Sequence, residues 1–87
     1  MELDLKNTIF DSCQILDSDF FNTNLMKANF EGSNLEGTRF DSCNLNEASF
    51  KNTKNYQIDI NRNKVKNAKF SFPEVISLLD VFNIKIE

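Results

Sequence analysis

The sequence predicts an all-β solenoid of about three square coils, closed by one C-terminal α-helix, because its apolar period fits no ordinary strand or helix. Two observations carry the solenoid. From Leu25 to Phe50 every fifth residue is large and apolar, and the residue two places before each is small. A third carries the helix. From Ser71 the count of five gives way to an apolar run with a helix-start signature.

A helix would scatter every-fifth residues around its axis, and a flat strand would alternate them between its two faces. The chain must therefore turn a corner in each group of five, sending one large and one small side chain inward. Four such sides close a coil of twenty residues. Ala28, Ala48 and Ala68 stand twenty apart, as do Phe10, Phe30, Phe50 and Phe70, and Leu5, Leu25 and Leu45. The predicted core is Leu5, Phe10, Ile15 and Phe20 in the first coil, with Leu25, Phe30, Leu35 and Phe40 beneath. Leu45 and Phe50 open the third coil, and Val65 and Phe70 resume the count in phase. The small inward positions are Cys13, Thr23, Ala28, Ser33, Thr38, Cys43, Ala48 and Ala68.

Asn24-Leu25, Ala28-Asn29-Phe30, Ser33-Asn34-Leu35, Cys43-Asn44-Leu45 and Ala48-Ser49-Phe50 resemble the A-(D/N)-(L/F)-x-x unit of pentapeptide-repeat proteins. The resemblance runs over residues 3 to 54 and implies a right-handed quadrilateral β-helix with the central Leu or Phe inside. It implies no particular activity, since the family is defined by its scaffold.

The repeat region is expected over 1–70, with its last coil, 51–70, distorted. Leu3 takes a small-residue offset and is expected to help cover the open end of the coil. Leu16, Phe21 and Met26, each just after a core position, are expected to point outward as an exposed apolar patch, with Ile9 just before one. In 51–67 Asn55 stands where an apolar centre is due, and Ile58 falls at a small offset with Ile60 at the centre. Lys51, Lys54, Arg62, Lys64, Lys66 and Lys69 form a basic patch near this end, read as a solvated face.

The closing segment, 71–87, is a helix and a short strand. Ser71 and Glu74 have capping-box spacing, Pro73 suits a first turn, and Asn83 suits the exit. Phe72, Val75, Ile76, Leu78, Leu79, Val81 and Phe82 supply more apolar surface than a cap needs, so they are assigned to cap and dimer contact together. Glu74, Ser77 and Asp80 leave a narrow polar stripe, and Ile84 to Glu87 alternates as a strand would. The family resemblance extends here to a bacterial branch whose C-terminal helix supports a tail-to-tail homodimer.

The formal charge of −3 hides a split: residues 1–50 carry nine acids against three bases, and 51–87 seven bases against four acids. Neither half compels a polyanionic partner, and nucleic acid is not expected. No apolar run approaches the length of a membrane span. A cytoplasmic protein with Cys13 and Cys43 as reduced thiols is the expectation. With no His, no cysteine pair at ligand spacing and only two glycines, neither a zinc site nor a phosphate loop can be assembled. No catalytic, cofactor or metal residue is predicted; carboxylates such as Asp17 and Asp19 fall on outward corners. The leading functional reading is a non-catalytic scaffold that self-associates through its C-terminal helix and presents its β faces to a macromolecular partner. Two others compete. Family members that confer quinolone resistance imply mimicry of DNA towards gyrase. A small-ligand binder or enzyme would need a pocket that a filled interior does not leave.

Overall fold

The computed structural model describes residues 3–82. Its strands are short: β1 Leu3–Asp4, β2 Asp19–Phe21, β3 Thr23–Asn24, β4 Arg39–Asp41, β5 Ser49–Phe50, β6 Gln57–Ile58 and β7 Lys69–Phe70. All of them pair in parallel with the strand one coil away, as β1 with β3, β2 with β4, β4 with β6 and β5 with β7. Single bridges such as Ile9 with Asn29 and Gln14 with Asn34 complete the stack, so the coils are joined along four ladders. Coil-to-coil backbone bonds of 2.6–3.2 Å leave few strand groups unpaired in the middle of the stack.

The corners follow from backbone geometry. Asn7, Ser12, Asp17, Asn22, Lys27, Gly32, Gly37, Ser42, Glu47 and Asn52 all have φ between 51° and 75°. Each lies two residues after a large inward residue and so occupies the third place of a tight turn. The turn closes where the Ala28 N–H donates to the Leu25 carbonyl (3.0 Å) and the Ser33 N–H to that of Phe30 (3.1 Å). Asn, Asp, Ser and Gly tolerate this left-handed backbone best. Lys27 and Glu47 adopt it as well, held by the bonds of the coil around them.

Inside, Leu25, Phe30, Leu35, Leu45 and Phe50 are fully buried. The Phe10, Phe30, Phe50 and Phe70 rings stack at centroid distances of 4.8, 5.0 and 5.2 Å. Phe20 stacks on Phe40 at 5.2 Å. The two columns meet edge to face across the interior, Phe30 lying 5.9 Å from Phe40 at 88°. Each such pair contributes about 0.5–1.5 kcal/mol beyond its buried area.

The small inward residues do more than leave room. The Ser33 hydroxyl donates to the Phe10 carbonyl and accepts from the Cys13 N–H (2.8 Å). Thr38 bridges Ile15 and Ser18 in the same way, and the Thr53 hydroxyl donates to Phe30 (2.6 Å). Cys43 points its thiol at the Phe20 carbonyl, 3.1 Å away. These bonds satisfy inward carbonyls that the ladders leave over.

Two expectations are corrected. The third coil cuts one corner by two residues: Phe40 pairs with Ile58, only eighteen positions on, while Asn44 pairs with Lys64 at the usual twenty. Asn55, with φ of 61°, makes the corner two residues early. Ile58 therefore takes the core position assigned to Ile60, and the small offset passes to Tyr56. The Tyr56 ring fills the space that Asn55 vacates, 5.8 Å from Phe50 and 5.5 Å from Phe70. Tyr56 and Ile58 are both buried, Ile58 as a centre instead of at the small inward offset, and Tyr56 at an inward place the count of five does not give it.

The second correction concerns the C-terminal segment. It forms a 3-10 helix, Glu74–Phe82, instead of an α-helix. Val75, Ile76 and Val81 are β-branched and disfavour an α-helix. The residues also sort in threes, which a helix of three residues per turn brings into line. Nor is there a capping box: the Ser71 hydroxyl accepts from the Asn52 N–H (3.1 Å), and the first bonds run from Val75 to Ser71 and from Ile76 to Pro73. Asn83 and the alternating strand at 84–87 lie outside the described residues.

Candidate interaction surfaces

Because i and i+3 align on a 3-10 helix, the apolar residues of Glu74–Phe82 divide into two columns. Val75 and Leu78 are half-buried, Leu78 packing against the core of the solenoid. Ile76, Leu79 and Phe82 form the other column and are exposed, with Phe72 beside them at 82% exposure. Of the polar stripe, Glu74 and Ser77 are half-buried beside the Tyr56 loop. The Tyr56 hydroxyl is buried near Ser77 without reaching hydrogen-bonding geometry. Burial, and then the Glu74 carboxylate, push its pKa up to about 12.

A second apolar surface lies at the opposite end. Leu16 and Phe21 are exposed, together with Leu3 and Ile9, whereas Met26, assigned to the same patch, is half-buried. Leu3 does not cover the end of the coil; it stands 55% exposed at its rim.

The polar features are largely committed. Lys51, Lys54, Arg62, Lys64, Lys66 and Lys69 are exposed, but Arg62 is paired to Asp41 through two bonds (2.9 and 3.2 Å). That pair holds the Asp41 carboxyl below the usual range. Asp19 is paired to Arg39 (2.8 and 3.0 Å), with the same effect on its carboxyl, and Asp17 lies on an exposed corner. An open groove of about 690 Å³ runs past Asn24, Asn44, Asn61 and Asn63. Asn63 is spent there on Cys43, Phe40 and Asp59. Among the described residues no cluster of His, Cys, Asp and Glu could hold a metal ion, and no helix is long and apolar enough to cross a membrane. Cys13 and Cys43 are free; burial pushes the Cys43 thiol pKa up.

Stacked parallel ladders around an apolar interior place the molecule among the β-helical solenoids. The pentapeptide repeat region profile matches residues 2–71, and the chain belongs to the pentapeptide-repeat family, with the right-handed β-helix of that family. Among solved structures it resembles QnrB1, a plasmid-mediated fluoroquinolone resistance protein. A trypsin-treated QnrB1 variant aligns with a TM-score of 0.52 and 14% identity over 99% of this chain and 49% of that one. A second aligns with a TM-score of 0.47 and 18% identity, over 97% and 43%. The chain thus spans under half the length of these relatives. The search of curated proteins returned no match.

Proposed function

We propose that this protein is a non-catalytic scaffold that self-associates through its C-terminal segment and presents its β faces to a macromolecular partner. The observation that carries the reading is the aligned column Ile76, Leu79 and Phe82, exposed beside Phe72 on a helix whose other apolar column already packs inward. An apolar strip of this kind at the end of a small domain is characteristic of a contact surface. In this reading residues 1–70 are the repeat body, and 71–87 both close it and join copies.

The solution mass of the intact chain at micromolar concentration tests the proposal. Two or more copies are expected. A mass fixed at the 10.1 kDa of a single copy across the concentration range would overturn it. No observation favours mimicry of DNA: the net charge is only −3 and the third coil is basic.

A further inference from the structure

We propose that the N-terminal end of the solenoid is the receptor for the C-terminal end of a second copy, so that copies stack head to tail. This deepens the self-association reading and rests on it.

The twenty-residue period supplies an internal control. One coil below the exposed Ile9, Leu16 and Phe21 stand Asn29, Glu36 and Asp41. Apolar residues occupy these outward positions only at the rim of the end coil, where a neighbour along the axis would cover them. Inside that rim Leu5, Phe10, Ile15 and Phe20 are half-buried, whereas their equivalents Leu25, Phe30, Leu35 and Phe40 are at most 4% exposed. The N–H groups of Asn29, Asn34 and Arg39 donate to the coil above at 2.8–2.9 Å, and those of Ile9, Gln14 and Asp19 have no acceptor among the described residues.

Charge selects the occupant. The coil at the open end carries Asp4, Asp11, Asp17 and Asp19 against Lys6, so two such ends repel. The C-terminal end carries Lys51, Lys54, Lys64, Lys66 and Lys69, with Arg62 paired to Asp41, against Asp59, Glu74 and Asp80, so it is net basic and two of these ends repel also. Only the unlike pairing sets acidic rim against basic rim around two apolar centres. Such a contact is heterologous and does not close on itself. A cross-section of 25 by 25 Å gives at most about 600 Å² on each partner, the low end for specific association, so the stack forms weakly and depends on concentration.

Two variants, each checked for a cooperative melt, separate the outcomes. The head variant is Leu16→Ser with Phe21→Ser, and the tail variant is Leu79→Asp with Phe82→Asp. By analytical ultracentrifugation the wild-type mass is expected to climb past two copies with concentration and to fall back in high salt. Each variant alone is expected to be monomeric, with association weakened at least tenfold. An equimolar mixture is expected to form a two-copy complex, because one intact head still meets one intact tail. A head variant that dimerises as well as wild type indicates tail-to-tail pairing; that result overturns the stacking and leaves the proposed function standing. Wild-type protein monomeric at every concentration overturns both. The salt response keeps the question answerable if either variant fails to fold, since association that strengthens in high salt excludes the charge-selected pairing.

Discussion

Phe30 touches four other phenylalanine rings, stacked with Phe10 and Phe50 and edge-on to Phe20 and Phe40, and it is fully buried. Phe30→Ala is therefore expected to cost about 3–5 kcal/mol, read from denaturant midpoints at unchanged m. Phe21 is 67% exposed, and Phe21→Ala should move stability by less than about 0.5 kcal/mol. An equal loss at both sites would contradict the assignment of inside and outside. The count of five distinguishes these two phenylalanines in the bare sequence, because a centre and its successor face opposite ways. What the count leaves unread is the work of Ser33, Thr38 and Thr53. A small offset looks like mere space until the carbonyl of the coil above is found waiting for its hydroxyl. Tyr56 offers a titration test. Its folded pKa, about 12, lies above the ordinary 10.0, so folding favours the neutral phenol. Its contribution is fully present below pH 10 and lost as pH rises towards 12. The comparison is with Tyr56→Phe. That variant removes a buried hydroxyl without a partner, and it should be at least as stable as wild type at neutral pH and lose less stability on alkalinisation. A parallel alkaline decline in both proteins would show that Tyr56 is not the group responsible.

At the scale of elements, the sequence marks where the C-terminal helix lies and which side chains it offers, but not its pitch. Ser71, Pro73 and Glu74 give the starting signature of an α-helix. The choice of three residues per turn comes from packing: Leu78 reaches the solenoid core, and the helix lies against β6. Propensity alone does not decide this: the β-branched Val75, Ile76 and Val81 weaken an α-helix, but an extended 3-10 run depends on tertiary contacts. The shortened corner was hidden for a related reason. Asn55 is compatible with either a corner or a vacated centre, and only the Tyr56 ring beside Phe50 decides between them. The two columns of the helix make separable predictions. Leu78→Ala should lower stability by about 2 kcal/mol, the low end for a buried leucine because Leu78 is half-buried. Leu79→Ser, on the outer column, should leave the melting transition of dilute protein within about 0.5 kcal/mol of wild type. Thermal melts at low concentration check both, and a larger loss at Leu79 than at Leu78 would reverse the two faces.

For the molecule as a whole, each coil contacts its neighbours along the axis, so stability should grow with the number of coils. Duplicating residues 24–43 inserts one coil in phase. Cys43 is followed by Asn24 of the copy just as it is by Asn44, and Leu, Phe, Leu and Phe fall again on their own columns. The insertion lengthens the Phe30 and Phe40 columns by one ring each and adds one full set of ladder bonds. Its electrostatic defect is that Arg39 comes to stack on its copy, and Asp41 on its own, where wild type alternates sign down that face. Both sites are exposed, and screening keeps that repulsion small. The longer chain should unfold in one transition with a higher denaturant midpoint and a steeper m, because more surface is exposed on unfolding. Duplicating only residues 31–35 adds one side, not four, and puts every later leucine beneath a phenylalanine. That variant should be less stable than wild type despite its added apolar residues. The contrast separates a closed four-sided coil from general hydrophobic collapse, under which extra apolar sequence would stabilise in proportion to its length. A five-residue insertion that stabilised the protein would therefore refute the register on which both the core and its two ends depend.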